Sequence, residues 1–268
     1  RRGDIALVSA NSHFVNYAWI GDEPLRQLGA VVIPGGVGNT ETQVKAMHDF
    51  GVTVYWGIPS FLGTMIKRAE EMGYDFRRDF ALRVGIFSSE PLAPSLRETF
   101  EQSYGIDCFM IYGSADYTIL AYECKQKSGM HIAEEVIVEI VDTETGKQLG
   151  PGEVGEMVVT NFDEVCPLIR FGLGDLTSYT DEPCPCGRTS PRLGSLVGKA
   201  RDVVRIKGGR MLYPAQLKEV FANFPEVSSY QVVVTRPAQK DETTLNIELA
   251  NEEIKKEELA GRLNRSIK

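Results

Sequence analysis

Four side chains in the middle of the chain have the composition of a metal site. Cys184 and Cys186 form a tight Cys-x-Cys knuckle, and Cys124 and His131 form a second pair earlier in the chain. Three thiolates and one imidazole complete a tetrahedral set without a vacancy, the usual donor set of structural zinc. Such an ion would hold a subdomain together and take no part in catalysis. A disulfide, which a reducing cytosol disfavours, and free buried thiols stay open as alternatives.

Polar residues also follow two apolar runs that have the character of buried strands. Ser88-Ser89-Glu90-Pro91 comes after residues 82–87, and Tyr112-Gly113-Ser114-Ala115-Asp116 comes after residues 108–111. Open α/β folds bind their ligands at the carboxyl ends of parallel strands. A third segment, Gly174-Asp175-Leu176, is by itself only a turn signature. In this order along the chain, the segments predict one ligand site built from strand ends.

These segments, with Gly198-Lys199-Ala200-Arg201-Asp202 after them, resemble the nucleotide-binding core and hinge of adenylate-forming enzymes. Gly129-Met130-His131-Ile132 and Pro191-Arg192-Leu193-Gly194 narrow the resemblance to the phenylacetate–coenzyme A ligase family, over nearly the whole chain. The resemblance implies an ATP-dependent acid–thiol ligase. A carboxylate would attack the α-phosphate of ATP to give an acyl-adenylate and pyrophosphate, and the thiol of coenzyme A would then displace AMP.

The resemblance assigns the nucleotide to the strand ends. Asp175 would bind the ribose, because a carboxylate can accept both hydroxyl protons. Tyr112 would stack on adenine, or else pack into the core as a strand terminus. Asp116 stands where the family usually has a Glu that holds Mg²⁺, and it keeps the hard oxygen ligand on a shorter stem. The other residues assigned to the nucleotide are Ser89, Glu90, Pro91, Gly113 and Ser114.

Further residues are assigned to the phosphates, the hinge and coenzyme A. Arg170 would serve the phosphate or ribose region, with a structural ion pair as the alternative. Asp202 would be the swivel of a lid that rotates between the two half-reactions. The residues expected to meet coenzyme A, or else to form a solvated surface turn, are Lys207, Gly208 and Arg210.

An aryl or arylacetic acid, of which phenylacetate is an example, is the substrate class that the resemblance implies, and a short aliphatic acid stays open. Family members are often Gly-rich around Asn16-Tyr17-Ala18, so the bulk here predicts a differently shaped, smaller pocket. Some members also combine the Glu-Cys, Gly-x-His-Ile and Cys-x-Cys-Gly-Arg motifs, which strengthens the zinc prediction. The side chains expected to line the acyl pocket are Phe14, Tyr17, Trp19, Trp56 and Pro59.

The element pattern predicts an α/β fold with a parallel sheet and crossover helices. Strands expected at 4–8, 30–34, 52–56 and 82–87 alternate with helical stretches. After Cys124, short alternating segments predict a small antiparallel β-subdomain, about 124–197. Residues 201–268 predict an α+β lid with a helix at 214–224. We therefore divide the chain into a partial large domain, 1–200, and a partial lid domain, 201–268.

Composition restricts the class of partner to small molecules. The chain is 43% apolar and 25% charged, with a formal charge of −8, which argues against nucleic acid or an anionic membrane surface. No apolar run approaches a membrane span and no signal peptide opens the chain, so a cytoplasmic enzyme is the simplest interpretation. Relatives often form dimers, so a homodimer stays open.

Cys108 and Cys166 lie in apolar surroundings and are predicted to be core residues.

Two family features have no match: a Ser/Thr/Gly-rich phosphate loop and a catalytic Lys near the end of the lid. We therefore expect the sequence to be a piece of a longer enzyme. Two alternatives to the ligase remain, an adenylating enzyme with another acceptor, as in F420-adenylating proteins, and a non-catalytic nucleotide-binding homologue. Consumption of AMP into product would identify the first, and a full-length protein without the catalytic Lys would favour the second.

Overall fold

A computed structural model of the chain describes residues 2–13, 16–205, 211–213, 217, 220–221, 223–235, 242–250 and 256–266. Its first part alternates strands and helices, as the sequence predicts. In chain order these are β1 (Ile5–Val8), α1 (Tyr17–Gln27), β2 (Val31–Pro34), α2 (Thr40–Asp49), β3 (Val54–Gly57), α3 (Pro59–Glu71), α4 (Phe76–Asp79), β4 (Val84–Phe87), α5 (Pro94–Glu98), a π-helical turn (Thr99–Ser103) and β5 (Asp107–Ser114).

The later part consists mostly of strands. In chain order these are β6 (Thr118–Glu123), β7 (Met130–Ile132), β8 (Val136–Val141), β9 (Gly155–Asn161), β10 (Phe171–Thr177), β11 (Tyr179–Thr180), β12 (Arg192–Leu193), β13 (Gly198–Lys199), a 3-10 turn (Ala200–Asp202), β14 (Val204–Arg205), β15 (Met211–Leu212), β16 (Val227–Thr235), β17 (Glu242–Leu249) and then helix α6 (Lys256–Ser266).

Two sheets carry the candidate site. The larger has the order β11-β12-β7-β6-β5-β4-β3-β1-β2, parallel from β5 to β2 and antiparallel from β5 to β11. The smaller has the order β13-β10-β9-β8 and is antiparallel. The strands after Cys124 are thus antiparallel, as predicted, but they do not form one separate subdomain. β7, β11 and β12 extend the large sheet, and only β8, β9, β10 and β13 form the small one.

Helices cover both faces of the parallel strands, which is why these strands are apolar without alternation. All four residues of β3 are buried. Tyr55 of β3 and Phe87 of β4 are fully buried in the core under α2 and α3. Trp56 faces the opposite side, where it packs with Ala18 and Leu25 of α1. The doubly wound α/β architecture predicted from the sequence is confirmed.

The described part of the C-terminal region has a hydrophobic core of its own. β16 and β17 pair antiparallel, and their inward residues pack on side chains from a helical segment and from α6. These buried side chains are Leu217, Phe221, Phe224, Leu259 and Leu263. This is the α+β character predicted for the lid, and the domain boundary at residue 200 stays a prediction. Of the helices that the structure describes, none is both long and apolar enough to span a bilayer.

Candidate nucleotide site and metal cluster

A cavity of about 360 Å³ lies where β4 and β5 end and the small sheet begins. β4 ends at Phe87, which lies opposite Met110 of β5, and β5 continues to Ser114, so the loop after β4 runs beside the last residues of β5. Parallel strands bring their carboxyl ends to one edge in this way. The predicted nucleotide residues that line the cavity are Ser89, Glu90, Pro91, Tyr112, Gly113 and Asp175.

Asp175 is held between a tyrosine and a lysine. Its Oδ2 accepts a hydrogen bond from the Tyr112 hydroxyl at 2.7 Å, and its Oδ1 lies 2.8 Å from Lys199 Nζ. Lys199 lies opposite Asp175 across the β10–β13 ladder. Burial, and then the Asp175 carboxylate, raise the pKa of Tyr112 above its ordinary value, so its hydroxyl remains a donor at neutral pH. A carboxylate has about four acceptor positions, so both oxygens retain room for ribose hydroxyls.

The loop after β4 is fixed by a contact to helix α3. Glu90 Oε1 accepts from the Ser60 backbone N–H at 2.5 Å, and Oε2 accepts from Ser60 Oγ at 3.0 Å. The first N–H groups of a helix have no partner inside the helix, so Glu90 satisfies one of them and meets the positive end of its dipole. Ser89 has a φ of 70° in the left-handed region, which is strained for a residue with a Cβ. The contact between Glu90 and Ser60 therefore helps to hold the loop in this shape.

A second cavity, of about 260 Å³, adjoins the first. Ser88, Ser89, Ile111 and Gly113 line both cavities. Gly113 lies at an irregularity in the β5–β6 pairing, and a Cβ there would come within 2.0 Å of the Thr118 carbonyl oxygen. Only glycine therefore fits at the partition between the two cavities.

The side chains predicted for the acyl pocket are not brought together by the structure. Tyr17 lines the second cavity, whereas Trp19 is 62% exposed. Trp56 is buried in the core, where its ring contacts Gly21 so closely that a Cβ on Gly21 would lie 2.6 Å from it. Pro59 begins α3 and is buried. Phe14 lies outside the described residues. Side chains alternate between the two faces of a sheet along each strand, so Trp56 and its neighbour Tyr55 lie on opposite faces.

The residues predicted to be catalytic lie apart from one another. Asp116 is exposed in the turn after β5, where its backbone N–H donates to Ser114 Oγ at 3.3 Å. Arg170 Nε lies 3.1 Å from Glu139 Oε2, which is the ion pair given as the alternative, and Arg170 does not line the nucleotide cavity.

The hinge and lid residues are farther along the chain. Asp202 ends the 3-10 turn, where its carboxylate lies 3.7 Å from Arg201 Nε. The residues expected to meet coenzyme A lie outside the described part of the chain: Lys207, Gly208 and Arg210.

The structure brings the four predicted zinc ligands together. One donor atom from each of Cys124, His131, Cys184 and Cys186 lies within 4.8 Å of the others. Cys124 Sγ and Cys184 Sγ are 3.8 Å apart, and Cys186 Sγ lies 3.3 Å from His131 Nε2. The five cysteines are free thiols, so the disulfide alternative is not formed. Three sulfurs and one imidazole nitrogen at this spacing fit one Zn²⁺ ion.

Neighbouring groups orient the donors of this metal cluster. His131 Nδ1 lies within 3.3 Å of both the carbonyl and the hydroxyl oxygen of Ser190, which leaves Nε2 to face the thiols. The Arg188 backbone N–H donates to Cys186 Sγ at 3.5 Å and is the main cause that lowers the pKa of Cys186 to about 6. Burial raises the pKa of Cys124. Hydrogen bonds thus lower the pKa of one thiol of the cluster, and burial raises the pKa of another.

One cysteine prediction was wrong. Cys108 is buried in the core, as expected. Cys166 is exposed, because it lies in the loop between β9 and β10, where its backbone N–H donates to Asp163 Oδ1 at 2.7 Å. A short apolar stretch in a loop cannot be distinguished from a strand by composition alone.

Sequence reasoning missed two contacts that shape the nucleotide cavity. Lys199 was assigned only to the hinge segment, although it is the ion partner of Asp175. Arg97 and Glu123 form a bidentate pair with both distances at 2.8 Å, and Glu123 also accepts from the Met110 backbone N–H. The pairing of Lys199 with Asp175 could be found from the sequence only if the register between β10 and β13 were known. The Arg97–Glu123 pair has no local signature, since α5 and β6 are distant in the chain.

The nine-stranded mixed sheet, the second antiparallel sheet and the α+β unit that follows have the fold of adenylate-forming enzymes. The chain belongs to the AMP-binding enzyme family: residues 7–162 match that family, and residues 209–268 match the AMP-binding enzyme C-terminal domain.

Curated relatives include phenylacetate-coenzyme A ligases. The chain is 34% identical to that of Thermus thermophilus, over 83% of this chain and 51% of the relative. It is 33% identical to that of Escherichia coli, over 83% of this chain and 52% of the relative. The chain therefore spans about half the length of the curated relatives it matches.

Solved structures support the fold. An open conformation of 2-hydroxyisobutyryl-CoA ligase, in complex with 2-HIB-AMP and CoA, superposes with a TM-score of 0.85 at 22% identity, over 100% of this chain and 64% of that chain. A benzoate CoA ligase from Burkholderia xenovorans superposes with a TM-score of 0.70 at 18% identity, over 100% of this chain and 55% of that chain.

Proposed function

We propose that the full-length gene product containing this sequence is an ATP-dependent acid–thiol ligase. It adenylates an aryl or arylacetic acid, releases pyrophosphate and transfers the acyl group to coenzyme A with release of AMP. The observation that carries this proposal is the pair of cavities that share a wall at Gly113, one of which contains the Asp175 carboxylate. Two ligands that must react with each other need such adjoining sites.

In this proposal the larger cavity takes the nucleotide. Asp175 accepts the ribose hydroxyl protons while it keeps its contacts to Tyr112 and Lys199. The Ser89–Pro91 loop, fixed by Glu90 on helix α3, lies beside the base. Because the loop already has its shape, little ordering is needed when the nucleotide binds.

The second cavity takes the acid, and its apolar walls suit an aryl body. Asp116 lies at the exit of β5 and is exposed, so its carboxylate can help to hold Mg²⁺ together with the phosphates. One carboxylate plus phosphate oxygens is a common magnesium environment. Mg²⁺ would neutralise charge on the phosphates during adenylation.

The proposed acceptor, coenzyme A, comes from two observations on relatives. The similar curated relatives are coenzyme A ligases, and the superposed 2-hydroxyisobutyryl-CoA ligase was solved with its acyl-adenylate and CoA. Asp202 is the proposed hinge position for the lid that follows, since it ends the turn between β13 and β14.

We also propose that the metal cluster binds one structural Zn²⁺ ion. With all four positions taken by the protein, that ion would join β6, β7 and the turn before β12, and would have no place for substrate. The donor set and its spacing support this proposal.

Pyrophosphate exchange into ATP tests the function. The full-length gene product is assayed with aryl, arylacetic and short aliphatic acids, with and without coenzyme A. Exchange that depends on one class of acid, and AMP release that requires coenzyme A, are expected. The matched variants are Asp175→Asn, which should lose exchange, and Glu139→Gln, which removes an ion pair outside both cavities and should keep it. Absence of exchange with every acid would reject the ligase proposal.

A further inference from the structure

The metal cluster and part of the nucleotide cavity are built on the same two stretches of chain. The first is the β6–β7 hairpin, in which Cys124 follows β6 and His131 lies in β7. The second is the segment that contains the two later cysteines of the cluster and continues through β12. The cavity residues that these stretches supply include Glu123, Gly129, Met130, Leu193, Gly194 and Ser195.

The β6 end of the hairpin is fixed by contacts that need no metal. Glu123, which precedes Cys124 in the chain, pairs with Arg97 through both carboxylate oxygens at 2.8 Å. It also accepts a hydrogen bond from the Met110 backbone N–H at 2.8 Å. These bonds tie β6 to α5 and β5. A change at the cluster should therefore move the cavity residues of β7 and β12 more than Glu123.

The contact between β7 and β12 is short. Two residue pairs join the strands, Arg192 opposite His131 and Leu193 opposite Met130. Gly129 leads into β7 with a φ of 100°, and a Cβ on it would lie 2.8 Å from the Leu193 carbonyl oxygen. The backbones are thus in close contact, but so short a ladder is marginal by itself. The position of β12 therefore depends on further ties to the hairpin.

Two such ties lie next to the cavity. Arg192 Nη1 donates to the Ser128 carbonyl at 2.6 Å, and its Nη2 donates to the Glu182 carbonyl at 3.0 Å. The proposed zinc ion would be the second tie, because the hairpin and the segment before β12 each supply two of its four donors. The bonds of Arg192 do not need the ion. Loss of zinc should therefore loosen β12 on the hairpin without unfolding the sheet.

We infer that the metal cluster sets the position of the cavity wall formed by Met130, Leu193 and Gly194, so that zinc-loaded protein binds ATP more tightly than metal-free protein. Bound ATP in turn favours the zinc-loaded shape and slows the loss of zinc. A ligand shifts a conformational equilibrium in this way when its affinities for the two shapes differ. This inference rests on the proposed function and on the proposed zinc ion.

The rate of zinc release tests the inference without a metal-free protein. The zinc-loaded full-length gene product is mixed with an excess of a chromogenic chelator, with and without saturating Mg-ATP. ATP should slow release at least about fivefold, the lower end of usual couplings between two sites. Asp175→Asn is the control, because it should bind ATP weakly but keeps all four metal ligands. An unchanged rate in the native protein, or equal slowing in Asp175→Asn, would overturn the inference.

ATP affinity measures the same effect from the other side. Titration calorimetry compares zinc-loaded protein with protein freed of zinc by a chelator, at a temperature where circular dichroism shows both to be folded. The metal-free protein should bind ATP at least about fivefold more weakly and recover when zinc is restored. Cys166→Ser, which lacks the exposed thiol outside the cluster, should show the same loss and recovery. Equal affinity with and without zinc would contradict the inference.

Hydrogen exchange locates the change in the chain. Amides of residues 128–132 and 191–196 should exchange faster in the metal-free protein, because they belong to the hairpin and to β12. Amides of residues 59–71, in α3, should keep their native rates, since that helix packs in the core of the parallel sheet. Faster exchange to the same degree in all three segments would indicate general destabilisation and would reject the inference.

These measurements separate the inference from the proposed function. ATP binding and pyrophosphate exchange that do not depend on zinc would keep the ligase activity and reject the inference. ATP binding that weakens with zinc loss, in a protein that exchanges no pyrophosphate with any acid, would reject the ligase activity and support the inference. A protein that takes up no zinc would reject the inference, and one that binds no ATP would reject both.

Discussion

The nucleotide cavity and the metal cluster satisfy their polar atoms in opposite ways. In the cavity, each oxygen of Asp175 already has a protein partner, one from Tyr112 and one from Lys199. In the cluster, the thiols of Cys124 and Cys184 face each other at 3.8 Å. A network in which protein groups pair with one another keeps its shape without a ligand, whereas several donors directed at one point need an ion between them. We therefore expect the cavity to keep its shape without a ligand, and the cluster to gain stability from the proposed zinc ion.

Removal of the metal should have the largest effect on stability. Cys184→Ser, or treatment with a strong chelator, should remove the bound zinc and release the turn before β12 from β6 and β7. A loss of about 3 kcal/mol would lower the melting temperature by roughly 6–12 °C. Elemental analysis and calorimetry measure the two quantities. Cys166→Ser is the control, because this exposed thiol lies outside the cluster. An unchanged melting temperature after complete zinc loss would contradict a structural role.

Removal of the cavity's carboxylate should affect binding more than stability. Asp175→Asn cannot accept both ribose hydroxyl protons as a carboxylate does, and it leaves Lys199 without its counter-charge. A charge-assisted hydrogen bond contributes about 1.5–3 kcal/mol, so the affinity for ATP should fall at least about tenfold. The melting temperature should change less than in Cys184→Ser. Titration calorimetry with ATP measures the loss, and native affinity in Asp175→Asn would remove Asp175 from the nucleotide site.

Two buried tyrosines give a finer test of the preformed network. Tyr112 donates to a carboxylate and Tyr117 donates to a backbone carbonyl, at 2.7 and 2.8 Å. Because hydrogen bonds to charged acceptors are the stronger, Tyr112→Phe should cost about 2 kcal/mol and Tyr117→Phe about 1 kcal/mol. Urea unfolding measures both free energies. If the two losses are equal, the Asp175 network contributes no more than an ordinary hydrogen bond.

An exposed ion cluster gives a reference for how much surface charges stabilise the protein, against which both sites can be compared. Glu41 bonds to Lys45 at 2.9 Å and Arg68 at 2.8 Å on the surface of α2 and α3, and these hydrogen bonds lower its pKa from 4.5 to about 2. A carboxyl group whose pKa is lower in the folded state stabilises above its unfolded pKa, and this contribution is lost as the pH falls towards 2. The urea midpoint of Glu41→Gln should lie slightly below native at pH 7, and the difference should shrink steadily as the pH falls from 4.5 through about 2. A difference that does not change over this pH range would assign the effect to packing instead of charge.

The sequence predicted these regions to different degrees. The alternation of elements was readable because buried parallel strands and amphipathic helices leave distinct patterns. The zinc ligands were readable because Cys and His are few and their chemistry is specific. Lys199 as the partner of Asp175 was not, because that contact depends on which residues face each other across β10 and β13.

Two side chains show why a residue's position in the sequence does not give the direction in which its side chain points. Arg170 lies five residues before Asp175 in sequence, but its backbone has a φ of 48°. Its side chain contacts Glu139 and the Gly146 carbonyl instead of the cavity. Trp56 belongs to a strand next to the site, but it packs on Gly21 of α1. Left-handed turns and the face taken by a strand residue follow from packing that a local pattern does not contain.

The partition at Gly113 has a thermodynamic consequence for the order in which ligands bind. Gly113, with Ser88, Ser89 and Ile111, lines both cavities, so a ligand bound in one cavity, as proposed, would lie against a wall of the other. Linkage requires that the factor by which ATP tightens the binding of acid equals the factor by which acid tightens the binding of ATP. The gain in affinity would then be the same whichever of the two ligands binds first.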